Sequence, residues 1–186
     1  VATFNGTTAH HLLALTLKEA GLKITEIELV NLTLPDMSNA LQKGDVDAAF
    51  LWEPMFSKLE LDQSIRVICD GKGLKNAIAV IEATDDFVAK RRVEAIAVLK
   101  AFRRGAELIR KNPDEAAKLV AAELNQPEPI IRRSLDKFTY GPAFSDDIVN
   151  ALIGTETFLK DQGMTRVNVD INRFIDRSLT KELGYK

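Results

Sequence analysis

Short apolar runs alternate with helical patterns in the first part of the chain. The runs at residues 1–4, 24–32 and 46–52 have the apolar and β-branched content of strands, and the third is apolar on both faces. Runs at 65–69 and 77–81 predict a fourth and a fifth strand. Because helices are predicted between the first three strands, we expect right-handed crossovers within a parallel sheet.

Helical spacing of apolar residues and terminal signals predict the helices. They are expected at 9–20, 34–43 and 54–59, and then at 93–109, 112–124, 129–137, 145–163 and 169–177. Asn112, followed by Pro113 and two acidic residues, is a strong helix start. The predicted fold class is therefore α/β, a parallel-sheet lobe with a helical C-terminal half.

The composition narrows the classes of function. Apolar residues make up 46% of the chain, charged residues 28%, and the formal net charge is -2. No segment carries a basic stripe, so nucleic acid is not an expected partner. The longest apolar runs are too short to span a bilayer. The sequence starts at Val1 with no signal peptide, so its N-terminus neither supports nor excludes secretion.

Cys69 is the single cysteine of the chain. An internal disulfide is therefore excluded, and the redox compartment stays undetermined. Since Cys69 lies in the apolar run at 65–69, we expect a buried core residue rather than a reactive thiol.

Gly6, Thr7 and Thr8 lead from the first predicted strand into the first helix. Exposed amides and the positive end of the helix dipole attract anions there, and threonine hydroxyls add donors. A sulfonate, nitrate, carboxylate or phosphate group would fit. The alternative is an ordinary N-cap without a ligand.

Trp52 and Glu53 close the third predicted strand. In a 2-1-3 strand order the ends of strands one and three flank the switch point at which α/β sheets bind ligands. The Trp52 indole would supply an apolar wall and an N–H donor, unless it serves only in packing between lobes. Glu53 either accepts from an amino group of the ligand or is a solvated carboxylate at a strand end.

Asp36 and the two histidines are weaker candidates. Asp36 and Met37 begin the second helix and could line the same crevice, although an acid in a first turn is also favoured by the dipole. His10 is a candidate to reach the ligand, and His11 is expected on the surface or in packing. Adjacent histidines point about 100° apart on a helix, and no third histidine exists, so no metal site is expected.

Three segments resemble the family of ABC-importer solute-binding proteins for sulfonates, taurine and nitrate, the NMT1-like proteins. They read Phe-Asn-Gly-Thr-Thr-Ala-His at 4–10, Val-Asn-Leu-Thr-Leu-Pro-Asp-Met at 30–37, and Gly-Asp-Val-Asp-Ala-Ala-Phe-Leu-Trp-Glu-Pro at 44–54. Each motif is weak alone, but their order and spacing together are fairly specific. The resemblance extends over essentially the whole chain.

The resemblance implies a type II periplasmic-binding-protein-like fold of two lobes. Residues 1–75 would be the second, ligand-binding lobe, and 76–186 would be the crossing strand and the helical part that completes the first lobe. The first strand–helix units of the family's first lobe do not appear in this sequence. Residues 70–76 would form one strand of the hinge.

By this resemblance the protein binds a small, anionic solute outside the cytoplasm and delivers it to ABC permease subunits. It would lie in the periplasm or at the extracellular face, associated with the membrane only through the permease or a lipid anchor. No cofactor is implied. The identity of the ligand stays open among anions, amino sulfonates and heterocycles.

Other functions remain alternatives. The chain has no Ser-His-Asp order, phosphate loop, HExxH or CxxC pattern, so we expect a binding protein rather than an enzyme. Related scaffolds also occur in the sensing domains of signalling proteins, in pyrimidine-precursor (thiamin-related) binding proteins and enzymes, and in effector domains of transcription regulators. The flanking DNA-binding helix of the last class is not present in the sequence.

Overall fold

A small parallel sheet organises the N-terminal part of the protein. The computed structural model describes residues 1–141 and 145–184. Strand β1 (Ala2–Thr3) pairs in parallel with β2 (Val30–Asn31), and on its other side Ala2 forms a parallel bridge with Ala49. The Ala2 amide donates to the Ala48 carbonyl at 2.8 Å, and the Phe50 amide donates to the Ala2 carbonyl at 3.0 Å. β1 is therefore central, in the 2-1-3 order expected from the sequence.

Helices account for most of the remaining regular structure. In the described part of the chain they are α1 (Thr8–Glu19), α2 (Leu34–Lys43), α3 (Met55–Leu61), α4 (Asp85–Lys90), α5 (Arg92–Lys111), α6 (Pro113–Leu124), α7 (Glu128–Leu135), α8 (Asp146–Asp161), α9 (Ile171–Phe174) and α10 (Ser178–Glu182). The first seven predicted helices are present. α4 was not predicted, and α9 and α10 replace the single last helix.

The chain forms two compact units. One comprises Val1–Ala77 and Gly154–Asn168, and the other comprises Ile78–Ile153 and Val169–Lys186. The first unit thus includes the C-terminal end of α8 and the loop after it, in addition to the N-terminal residues.

Each unit has its own apolar core. In the first, Ala2, Met37 and Val46 are buried between the sheet and α2. In the second, small residues let α6 approach α7, with Ala116, Ala117, Ala121, Ile131 and Leu135 buried between them. A further cluster, Ala95, Leu99 and Leu179, joins α5 to α10 in that unit. Burial of these apolar faces supplies the main stabilising term for both units.

The predicted strands are longer than those in the structure, and two are wrong. Of 24–32, Ile24–Glu26 is a 3₁₀ turn and only Val30–Asn31 pairs. The runs at 65–69 and 77–81 are not hydrogen-bonded strands. A strand forms only where a neighbouring edge can accept its amides and carbonyls, and neither run pairs with such an edge in the described residues.

Cys69 is exposed, contrary to the expectation of a core residue. Its neighbour Ile68 is 75% exposed. An apolar run predicts burial only if another element covers it, and residues 66–69 of this run are exposed. Its thiol sulfur lies 4.0 Å from the Thr16 hydroxyl oxygen of α1.

Candidate ligand-binding edge of the sheet

The three parallel strand segments end at one edge of the sheet, here called the carboxyl edge. Because β1 is parallel to both β2 and the Ala49 segment, the chain leaves all three in the same direction. The loops that follow contain Gly6 and Thr7, then Thr33, and finally Trp52 and Glu53. The candidate residues from separate parts of the sequence thus share one edge at the switch point of the sheet.

The loop after β1 prepares the start of α1. Gly6 has φ +76°, a backbone conformation that side-chain-bearing residues rarely adopt. Thr7 is the N-cap of α1, and its Oγ1 accepts from the His10 amide at 3.4 Å while donating to the Phe4 carbonyl at 2.6 Å. The Thr7 hydroxyl proton is thus already used within the protein, contrary to its expected role as a spare donor.

Thr8 and Ala9 provide the remaining donors at this helix end. As the first two residues of α1 they have no intrahelical acceptor for their amides, and both side chains are only partly buried. The Thr8 hydroxyl adds a third donor. Ala9 was not singled out from the sequence because an alanine side chain carries no chemistry, although its backbone amide does.

Asn31 joins the loops after β1 and β2 and was also missed. Its Oδ1 accepts from the Asn5 amide at 2.9 Å. Asn31 pairs with Thr3 and is the last residue of β2, so it lies directly before the loop that follows β2. The signal in the sequence was weak, because an asparagine at a strand end reads equally well as a turn residue.

Trp52 and Glu53 follow the third strand segment and lead into α3. Trp52 is 37% exposed, and its carbonyl accepts from the Phe56 amide at 3.1 Å. One carboxylate oxygen of Glu53 accepts from the Ser57 amide at 3.2 Å, so this group caps α3. Trp52 therefore presents more of its side chain to solvent than Glu53, which is only partly exposed.

Asp36 and Met37, at the start of α2, lie in different environments. The exposed Asp36 accepts a hydrogen bond from the Thr33 hydroxyl at 2.6 Å, as a first-turn acid does. Met37 is completely buried in the core of the first unit and does not line the edge.

His10 and His11 lie on the buried face of α1 and pack on Phe158 of α8. His10 is 2% exposed and His11 8%. The His11 ring stacks on Phe158 with centroids 4.3 Å apart, and the His10 ring meets it edge-on at 5.1 Å. The His10 side chain is thus enclosed rather than open to a solute, whereas packing was the expectation for His11.

Burial keeps both imidazoles neutral near neutral pH. It lowers the pKa of His10, and with the nearby charges of Lys75 and His10 it lowers the pKa of His11 to about 4. Burial also lowers the pKa of Lys75, whose Nζ donates to the Thr155 hydroxyl at 2.7 Å. The first unit therefore holds two neutral histidines beside one lysine.

This cluster predicts a stability that depends on pH. An unfolded His11 takes up its proton near pH 6.5 and the folded one near 4, so stability is complete above 6.5 and declines as pH falls towards 4. We expect a loss of about 2 kcal/mol from this residue. His11→Phe retains the stack on Phe158 and should remove that loss.

Urea unfolding at a series of pH values compares wild type with His11→Phe. Carboxylates titrate in both proteins, so only the difference between the two curves reports His11. Curves that stay parallel from about pH 7 to 4 would contradict the assignment. The variant should gain stability relative to wild type as the pH falls, because it has no imidazole to protonate. A gain that is the same at every pH is also expected, because the buried Nδ1 of His11 has no hydrogen-bond partner among the described residues.

Within 1–141 and 145–184, no group of three or more His, Cys, Asp or Glu side chains is placed to hold a metal ion. None of the helices in the same ranges combines the length and apolar character required to cross a membrane.

Solved structures with the same fold identify the class of protein. The periplasmic aliphatic sulphonate binding protein SsuA from Escherichia coli superposes with a TM-score of 0.85 at 28% identity, over 94% of this chain and 57% of that one. The alkanesulfonate-binding protein SsuA from Xanthomonas axonopodis pv. citri, bound to MOPS, shares the fold at 22% identity, over 94% of this chain and 61% of that one, with a TM-score of 0.78. The chain therefore has the α/β fold of periplasmic solute-binding proteins, as predicted.

The sequence belongs to the NMT1-like family, whose model matches residues 1–125. A putative aliphatic sulfonates-binding protein of Escherichia coli (strain K12) is 33% identical over 73% of this chain and 43% of its own length. The taurine-binding periplasmic protein of the same organism is 29% identical, over 84% of this chain and 53% of its own. The chain thus spans about half the length of the curated relatives it matches.

Proposed function

We propose that the protein binds a small anionic solute of the sulfonate, taurine or nitrate type without catalysis, for delivery to an ABC importer. The observation that carries this proposal is the shared carboxyl edge, at which the start of α1 and Trp52 follow parallel strands. The amides of Thr8 and Ala9 would receive the anion at the positive helix end. The relatives named for sulfonate and taurine binding support the same class of ligand.

The proposed site combines a charged-group subsite with an apolar wall. Gly6, Thr7 and Thr8 would form the anion-binding turn, and the Trp52 indole would contact the organic part of the solute. Glu53 and Asp36 lie at the same edge as secondary candidates, where a carboxylate would favour a ligand with an amino group, such as taurine. His10 would support the turn through its hydrogen bond to the Gly6 amide.

The proposed mechanism is closure of a cleft around the solute. Residues 1–75 would act as the ligand-binding lobe, 76–186 as part of the other lobe, and 70–76 as one hinge strand. The change of compact unit between Ala77 and Ile78 supports a hinge near this point. Solute binding drives closure only by the difference between its affinities for the closed and the open state.

The proposed partners and location follow from this function. The closed form would present a surface to ABC permease subunits at the periplasmic or extracellular face of the membrane. Membrane association would come through the permease or a lipid anchor. The names of the curated relatives, one of which is a periplasmic protein, support this location.

Calorimetry with ethanesulfonate, taurine and nitrate tests the proposal directly. Trp52→Ala should weaken the binding of the preferred solute at least about tenfold, because both the apolar wall and the indole donor are lost. Phe174→Ala is the matched control, since it removes an aromatic ring that is 78% exposed in the other unit. Equal affinities of Trp52→Ala and wild type would remove Trp52 from the site, and no binding of any of these anions would refute the ligand class.

A further inference from the structure

His10 is hydrogen-bonded to the turn that precedes α1. Its Nδ1 accepts from the Gly6 amide at 3.3 Å, and its own amide donates to the Thr7 hydroxyl at 3.4 Å. Two residues of the proposed anion-binding turn, Gly6 and Thr7, are therefore hydrogen-bonded to one buried histidine. His10 is only 2% exposed, so its ring contacts the turn from the protein interior and not from the solvent side.

Packing fixes the orientation of the His10 ring. Phe158 contacts it edge-on, with an angle of 82° between the ring planes. A ring that accepts a hydrogen bond through Nδ1 must carry its proton on Nε2. A second proton on Nδ1 would turn this acceptor into a donor facing the Gly6 N–H, and the hydrogen bond would be lost.

We propose that His10 is a positioning residue that holds the Gly6–Thr7 turn in its anion-binding form only while its ring is neutral. Acidification would release the turn and weaken solute binding. This inference rests on the proposed function of the turn. It differs from a direct contact between His10 and the solute, for which a protonated ring would attract the anion and tighten binding.

The surroundings of His10 make protonation a low-pH event. Burial lowers the pKa of His10 below its ordinary 6.5. α1 contributes the neighbouring His11, the segment before Ala77 contributes Lys75, and α8 contributes the uncharged Phe158 and the Thr155 hydroxyl bonded to Lys75. Lys75 and His10 add to burial in lowering the pKa of His11, whereas burial is the cause for His10.

Two variants distinguish the role of His10 as a hydrogen-bond acceptor from the effect of a positive charge on its ring. In His10→Asn the Oδ1 atom can take the place of Nδ1 as an acceptor, but the side chain does not titrate. In His10→Leu both the acceptor and the charge are absent. Ethanesulfonate is a suitable probe because its own charge does not change in this range of pH.

Calorimetry with the full-length protein at about pH 7.5 and at a pH below the His10 midpoint that NMR gives supplies the first result. Wild type should bind ethanesulfonate roughly tenfold more weakly at the lower pH, because one hydrogen bond that orders the turn is lost. His10→Asn should match wild type at the higher pH and stay constant. His10→Leu should be weak at both. Tighter binding by wild type at the lower pH, or a His10→Asn affinity as weak as that of His10→Leu, would overturn the proposal.

An NMR titration without ligand gives the second result. The Gly6 amide resonance should shift with the same midpoint as the His10 ring nitrogens, and in His10→Asn that shift should disappear. A Gly6 amide that ignores the ionisation of His10 would overturn the inference. If ethanesulfonate, taurine and nitrate bind at neither pH, the proposed function fails, whereas this titration still decides whether His10 controls the turn.

Discussion

Replacing Gly6 by valine is expected to weaken ethanesulfonate binding by at least about a hundredfold. Gly6 has φ +76°, and a β-branched residue is strongly disfavoured in this conformation. The backbone at residue 6 would leave this conformation, and the hydrogen bond from its amide to His10 Nδ1 would break. The first amides of α1 would then lose the orientation that the proposed site requires.

Gly21→Val is the matched control for this prediction. Gly21 has φ +73° at the opposite end of α1, and a Cβ atom there would meet nothing within 4 Å. This variant therefore carries similar backbone strain, away from the carboxyl edge. Calorimetry should give near wild-type affinity for Gly21→Val. Equal losses in both variants would mean that strain in α1, rather than the turn at Gly6, controls binding.

Replacing Met37 by alanine is expected to lower the free energy of unfolding by about 3 kcal/mol. The Met37 side chain is completely buried between α2 and the sheet, in contact with the cluster that includes Ala2 and Val46. Truncation removes apolar contacts and leaves a cavity, because the surrounding backbone belongs to regular elements that cannot collapse fully.

Urea unfolding followed by the fluorescence of Trp52 measures this loss. Trp52 is the single tryptophan of the chain and lies in the same unit as Met37. Met164→Ala is the control, because the same atoms are removed from a side chain that is 43% exposed. It should cost less than about 1 kcal/mol. Similar losses in the two variants would contradict the assignment of Met37 to the core.

The helices and the strand order were accessible to sequence reasoning because their signals are local. Pro113, preceded by Asn112, marks the start of α6, which the structure also begins at Pro113. Three apolar runs separated by helical patterns left a parallel sheet as the natural solution. The bridge between Ala2 and Ala49 gives the expected 2-1-3 order.

The carboxyl edge that holds the candidate residues was predictable from the sequence, but the hydrogen bonds at this edge were not. Strand ends and a helix start are visible in the sequence, so the placement of Thr7 and Trp52 after parallel strands at one edge followed from the topology. The use of the Thr7 hydroxyl by Phe4 and the bond from Asn5 to Asn31 did not follow. Such bonds depend on differences in distance of a few tenths of an ångström, which composition and spacing do not specify.

The sequence by itself determined seven of the helices, the parallel order of the strands and the family, because the signal for each lies in residues close together along the chain. Tertiary structure alone decided the burial of His10 against Phe158, since that contact joins residues distant in sequence. It likewise decided the exposure of Cys69, which lies in an apolar run like those of the true strands. Burial requires two surfaces in contact, and a single run of residues specifies only one of them.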